Sequence, residues 1–356
     1  RALSSAASDV YKRQVVVADP SNGEILGMAS YPTFNLNDPR KLTGMYTDEE
    51  IKDMSDEEYR NNLYSLWTNY CVSESYEPGS TFKPVTVASA LEEGVVKDGD
   101  TYVCKGFETV ADYKLKCHVF STIGSHGSLT VEQALMNSCN PYMIHLALEM
   151  GNSRFAYYQS LFGFGKITGI DLPGETTGIV YGDRMTTIDA ACNSFGQTIN
   201  VNMMQMMAAY CSIINGGMLY QPHIVKRIES ANGEVVKEYK ANLVRQTITA
   251  STSKLLRRYL KNTVEEGTAK KAGVTGYSVA GKTGTAQKGD RKDNKWIISF
   301  IGHAPAENPK FAIYVVIDEP YGTTGTSGSS ADVLTLTHNI LEKLLPYMNV
   351  YKDASD

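Results

Sequence analysis

Apolar residues recur every three to four positions over residues 81–93, 130–150, 202–214 and 252–266, the period of a helix that buries one face. Elsewhere the pattern shortens to β-branched and aromatic runs at 277–286, 296–303 and 311–318, separated by turn-like stretches at 289–295 and 304–310; these predict strands. Near the start, 15–18 and 24–30 flank Asp19-Pro20-Ser21-Asn22-Gly23, a connector built of residues that supply turn geometry, so the pair predicts a hairpin. A last helix over 330–345 follows the glycine-rich 322–328. Strands from both chain ends with helices between them predict an α/β protein: an antiparallel sheet assembled from the two ends, helices on its faces, and a helical subdomain in the middle. The groove between the two parts is the natural place for a site.

Two segments stand outside this pattern. Over 47–60 the acidic Asp48, Glu49, Glu50, Asp53, Asp56, Glu57 and Glu58 crowd scattered apolar positions, which predicts a solvated helix or insertion. Residues 1–14, rich in Ala, Ser and basic residues, lack the apolar stretch of a secretory signal. They are set aside as a non-native or disordered segment, and the folded domain is expected over 15–350.

The chain of 356 residues is 42% hydrophobic and 21% charged, within the range of ordinary globular proteins. Its net charge of −5, with both signs scattered, offers no basic stripe, which argues against nucleic acid as a partner. The most apolar stretch, near 203–214, is interrupted by Gln205, Tyr210 and Ser212 and predicts a buried helix rather than a membrane span.

Chemistry enters at Glu77-Pro78-Gly79-Ser80-Thr81-Phe82-Lys83. Pro78-Gly79 breaks the preceding structure and a helical pattern follows, so Ser80 is expected at a helix N-terminus with Lys83 one turn on, on the same face. Such a pair can act as nucleophile and base if the lysine is neutral near pH 7, which requires its pKa to fall by about three units; burial or a second cation would do this. A serine cap followed by a solvated lysine is the bland reading. Ser251-Thr252-Ser253-Lys254 has the same spacing and is read as the cap of an exposed helix.

Two further motifs separate the copies: Ser138-Cys139-Asn140 follows the first, and Lys282-Thr283-Gly284-Thr285 lies later on a predicted strand. SxxK, SxN and KTG in that order form the signature of penicillin-binding proteins and class A β-lactamases. Ser230-Ala231-Asn232 is a rival SxN, but its Asn-Gly continuation predicts a hairpin turn. Gly276 to Thr283 also satisfies the phosphate-loop spacing GxxxxGK[ST]. That loop must open a helix, and here a strand pattern leaves no room for one.

With Gly23-Glu24-Ile25-Leu26, Gly169-Ile170-Asp171-Leu172-Pro173-Gly174-Glu175, Ser194-Phe195-Gly196-Gln197 and Glu265-Glu266-Gly267-Thr268-Ala269, the chain from about 15 to 345 resembles the transpeptidase domain of class B penicillin-binding proteins. The resemblance implies a peptidoglycan D,D-transpeptidase that takes stem peptides ending in D-Ala-D-Ala, is inhibited by β-lactams and needs no cofactor. It implies Ser80 as nucleophile, Lys83 as base and Ser138 as proton relay. Asn140 would hold the substrate amide, and Lys282, Thr283, Gly284 and Thr285 the terminal carboxylate. The backbone N–H groups of Ser80 and Thr285 would form the oxyanion hole. It also implies a catalytic domain on the extracytoplasmic face of the cell membrane, with a membrane anchor, a pedestal domain and contacts to other cell-wall synthesis proteins outside this chain.

Rival functions with the same acylation machinery are a β-lactamase and a β-lactam-sensing receptor. A β-lactamase of class A would need a deacylating glutamate, and Glu149-x-x-Asn152 is read as coincidence. The six cysteines form no CxxC pair, and Cys104, Cys117, His118 and His126 lack zinc-site spacing, so no metal is expected. An extracytoplasmic location, implied by the resemblance, would permit a disulfide among Cys104, Cys117 and Cys139.

Overall fold

The computed structural model describes residues 12–42, 46–289, 295–320 and 330–353. Residues 1–11 and the glycine-rich 322–328 lie outside the described residues. Five strands form one antiparallel sheet: β1 (Lys12–Ala18), β2 (Ile25–Tyr31), β3 (Ala280–Lys288), β4 (Lys295–Ala304) and β5 (Phe311–Asp318). Their order is β3-β4-β5-β1-β2, so the last strand in sequence pairs with the first. β1 starts earlier than the apolar run from Val15 suggested: Lys12 pairs with Asp318 and Gln14 with Val316. Three residues of the segment set aside therefore belong to the sheet, and their polar side chains hid them from a pattern reading.

Alternate residues of the central strands serve opposite faces. Ile298, Phe300, Ile313 and Val315 pack with Val333, Leu334, Leu341 and Leu345 of the C-terminal helix Ala331–Tyr347. Ile297, Ile301, Ala312, Tyr314 and Val316 face the other core, with residues of the helices Lys83–Glu93, Asn140–Met150 and Met203–Ile214. Both faces are buried, which is why these strands read as near-continuous apolar runs. The result is helix, sheet, helix: three layers, with the helical subdomain beyond the second core. We label the helices α1 (Lys83–Glu93), α2 (Val131–Met136), α3 (Asn140–Met150), α4 (Met203–Ile214), α5 (Ala250–Glu265) and α6 (Ala331–Tyr347). Among the described residues no helix is long and apolar enough to cross a membrane.

Local rules account for most boundaries. The acidic segment forms two short helices, Asp48–Asp53 and Asp56–Trp67, each opened by a capping box: Thr47 with Glu50, and Ser55 with Glu58. Each box satisfies otherwise unpaired N–H groups at a helix start. The helix expected over 130–150 is interrupted at Asn137–Cys139. Ser138 takes φ +55° and Pro141 sits in the first turn of α3, where proline is tolerated but cannot continue a helix from upstream.

Candidate active site

β3 is an edge strand, paired on one side with β4 through Lys282–Ile301, Thr283–Phe300, Gly284–Ser299 and Thr285–Ile298. Its other edge runs against the turn that carries Ser80. That turn, Gly79–Phe82, is a short 3-10 helix that passes directly into α1 at Lys83. Gly79 (φ +56°) lies so close to β3 that a Cβ there would stand 2.6 Å from the Thr285 carbonyl oxygen. A Cβ on Gly284 would meet the Ser299 hydroxyl, the Pro78 carbonyl and Thr81 within 2.9 Å. Gly284 thus lets strand and turn touch; its place is in the packing of the two, with its neighbours Thr283 and Thr285 at the cavity wall.

A third piece completes this junction. Gly79 donates its N–H to the Gly196 carbonyl at 2.9 Å, and a Cβ on Gly196 (φ +80°) would stand 2.1 Å from the Gly79 carbonyl oxygen. The Thr86 hydroxyl on α1 donates to the Ser194 carbonyl at 2.8 Å. The Ser194–Gln197 segment therefore also braces the serine turn, a role that spacing alone did not reveal.

The polar centre is built around Lys83 and Ser138. Lys83 is fully buried and donates to the Ser138 carbonyl at 2.6 Å, the Ser138 hydroxyl at 3.0 Å and the Asn140 side-chain oxygen at 2.6 Å. Lys282, also fully buried, donates to the same Ser138 hydroxyl at 3.1 Å, and to the carbonyl and hydroxyl of Thr283 at 3.1 and 3.3 Å. Ser138 Oγ thus sits between two lysines, and its left-handed backbone turns it toward both.

Burial brings the Lys83 pKa down to about 8, because a buried ammonium loses its hydration. Burial, and then the charge of Lys83, hold Lys282 well below the ordinary lysine range. The repulsion between the two lysines is mutual and opposes a second proton on the pair. Two such ammonium groups sharing one hydroxyl favour a state in which only one is protonated.

In front of these groups opens a cavity of about 760 Å³, lined among others by Ser80, Ser138, Asn140, Thr283 and Thr285. Lys83, Lys282 and Gly284 stand behind that wall. Lining residues outside the three motifs include Gln197, Thr268 and Trp296; the Thr283 hydroxyl donates to that of Thr268 at 3.4 Å. The Gly196-Gln197 and Gly267-Thr268 pairs were the available sequence signals for two of them.

The competing motifs resolve by position. Lys282 and Thr283 of the phosphate-loop spacing lie inside β3, with no helix start beside them. Ser251 and Lys254 are exposed on α5, whose cap is Thr249 rather than Ser251. Ser230 and Asn232 occupy the turn between the short strands Arg227–Glu229 and Val235–Glu238. Glu149 lies near the far end of α3, about 13 Å along the axis from Asn140 at 1.5 Å per residue, and is exposed beside His145.

All six cysteines carry free thiols, and no bond joins Cys104, Cys117 or Cys139, among which an extracytoplasmic location would permit one. Those three thiols nevertheless meet, together with His126: the four ligand atoms all lie within 4.8 Å of one another. The fold replaces the His118 of the sequence grouping with Cys139, which chain spacing could not bring into the set.

Residues 14–342 match the family profile "Penicillin binding protein transpeptidase domain". The chain is 39% identical over 341 residues to stage V sporulation protein D of Bacillus subtilis, covering 94% of this chain and 49% of that protein. It is 31% identical over 345 residues to the peptidoglycan D,D-transpeptidase FtsI of Escherichia coli, covering 95% and 52%. The chain thus spans about half the length of these curated relatives. Among solved structures, penicillin-binding protein 3 of Mycobacterium tuberculosis complexed with ampicillin aligns over 98% of this chain and 76% of its own, with a TM-score of 0.81 and 27% identity. The D,D-transpeptidase domain of a peptidoglycan glycosyltransferase from Eggerthella lenta aligns over 97% and 81%, with a TM-score of 0.80 and 27% identity. This chain belongs to the penicillin-binding protein transpeptidase-domain family.

Proposed function

We propose that the chain is the catalytic domain of a peptidoglycan D,D-transpeptidase that works through an acyl-enzyme on Ser80. The observation that carries this reading is the convergence of three separate motifs on one cavity: Ser80 and Ser138 at its wall, and both buried lysines on the Ser138 hydroxyl. The names of the relatives, and the ampicillin bound by the Mycobacterium tuberculosis neighbour, support the substrate and inhibitor classes.

In this mechanism Ser80 Oγ attacks the carbonyl of the penultimate D-alanine while neutral Lys83 takes its proton. The oxyanion forms between the N–H groups of Ser80 and Thr285, which the Gly79 contact holds side by side; each such donor is worth about 3 kcal/mol in acyl transfers. Ser138 passes the proton to the leaving amine and D-alanine departs. The stem peptide lies along β3 at the cavity wall, where Thr283 and Thr285 line its path. Its carboxylate meets the hydroxyls of Thr283 and Thr285, with Lys282 behind them: a carboxylate arriving there raises the proton affinity of Lys282 and so supplies its own counter-charge. Asn140 holds the peptide amide. An amine from a second stem peptide then takes the acyl group, forming the cross-link.

We assign the domain to the extracytoplasmic face of the membrane, where that substrate lies. Incubation with a stem pentapeptide and an amine acceptor tests the reaction. D-Alanine release that rises with acceptor, accompanied by the cross-linked product, is expected. Acylation by penicillin without any D-alanine release would instead favour a β-lactam-sensing receptor.

A further inference from the structure

The cluster of Cys104, Cys117, His126 and Cys139 has no part in the acyl-transfer chemistry, yet it brings four separate chain segments to one point. Cys104 ends the strand Thr101–Cys104 and His126 precedes its partner strand Gly127–Thr130. Cys117 follows the hairpin strand Tyr113–Lys116, and Cys139 caps the start of α3. The three thiols are buried, at 1%, 3% and 0% exposure, while His126 is half-buried at the entrance.

Distances decide between possible uses. His126 Nδ1 lies 3.6 Å from Cys117 Sγ and 3.8 Å from Cys104 Sγ. A tetrahedral zinc ion, with bonds of about 2.3 Å to sulfur and 2.0 Å to nitrogen, sets neighbouring ligands roughly 3.5–3.8 Å apart. A disulfide would consume two of the thiols and leave the third cysteine and the histidine without a role. A metal ion uses all four.

The surroundings match as well. Gly106 donates its N–H to Cys104 Sγ at 3.4 Å, and its own carbonyl accepts from the Cys117 N–H at 2.8 Å. Backbone donors of this kind stabilise thiolate ligands and fix their orientation. Four ligands from a thiol-rich set, the three thiols buried, describe a structural rather than a catalytic site.

We propose that Cys104, Cys117, His126 and Cys139 bind a structural zinc ion that ties the Ser138–Asn140 segment to the two small two-stranded sheets beside the cavity. The site goes beyond the acyl-transfer reading and stands on separate residues. Only its consequence rests on that reading: Cys139 lies between Ser138 and Asn140, so the ion holds both in place.

The test begins without any substrate. The full chain, purified from zinc-supplemented medium under reducing conditions, is assayed for metal by plasma mass spectrometry, then stripped and reloaded with cobalt(II). One metal per chain is expected, with a cobalt spectrum showing thiolate charge-transfer bands and tetrahedral ligand-field bands. Cys104→Ser and His126→Ala should each lose the metal while their melting curves still show a folded protein; Cys211→Ser, in α4, should keep it. A stoichiometry well below one metal per chain, or unchanged binding in both ligand variants, would overturn the proposal. Stripped protein should then acylate more slowly, by about 10–100-fold. Because metal content is read without a β-lactam, failure of the metal site and failure of the acyl-transfer mechanism give different results.

Discussion

Lys83→Met is expected to lower the rate of acylation by penicillin by about 10²–10⁴-fold, the usual worth of a positioned general base. Methionine fills a similar buried volume without a charge, so the fold should survive; the lysine is fully buried and its burial alone opposes the ammonium. What is lost is the proton acceptor and the donor that orients Ser138 and Asn140. The same assignment fixes the pH dependence. A base with a pKa of about 8 is neutral in roughly a tenth of molecules at pH 7. The acylation rate should therefore climb about tenfold per pH unit below 8 and level off above it. Rapid-quench measurement of the acylation rate from pH 5.5 to 9.5 checks this, and a flat profile in the unsubstituted protein would remove Lys83 as the base.

The second large effect concerns a residue with no functional group. Gly79→Ala should cost about 10²–10³-fold in acylation, the range found on loss of an oxyanion donor. The new Cβ would lie 2.6 Å from the Thr285 carbonyl oxygen and 3.3 Å from its nitrogen, so β3 must retreat from the turn and its N–H leaves the oxyanion position. A left-handed φ adds roughly 1–2 kcal/mol of backbone strain, which by itself affects stability and not rate. Gly94→Ala isolates that part: Gly94 has φ +73° after α1 and open space where its Cβ would go. It should lower the melting temperature and leave the acylation rate unchanged. Equal rates in Gly79→Ala and Gly94→Ala would mean that the close approach of turn and strand does not shape the site.

Much of this could be read from the chain because it depends on local order. KTG lies within one strand, SxxK and SxN each occupy four residues or fewer at a helix start, and the strand runs at 296–303 and 311–318 are continuous because both sheet faces are buried. What escaped the sequence depends on segments meeting across the fold. The polar Lys12–Gln14 join β1 through pairing with β5. Ser138 breaks a helical pattern with a left-handed turn that its own sequence does not announce. Gly196 acts through contact with Gly79, more than a hundred residues earlier. Lys282 was expected to bind the terminal carboxylate; its side chain is buried against Ser138, while alternation along β3 turns Thr283 to the cavity wall. The cysteines gave no spacing signal since their ligand set is completed only by Cys139, at the start of α3.

The central claim, a covalent intermediate on Ser80, is tested most directly by intact-protein mass spectrometry after incubation with penicillin, for this chain and for Ser80→Ala, followed over hours. The account predicts a one-to-one adduct of the antibiotic's full mass that persists in the unsubstituted protein and is missing from Ser80→Ala. An adduct of the same mass on Ser80→Ala would contradict it, as would the absence of any adduct on the folded, unsubstituted chain.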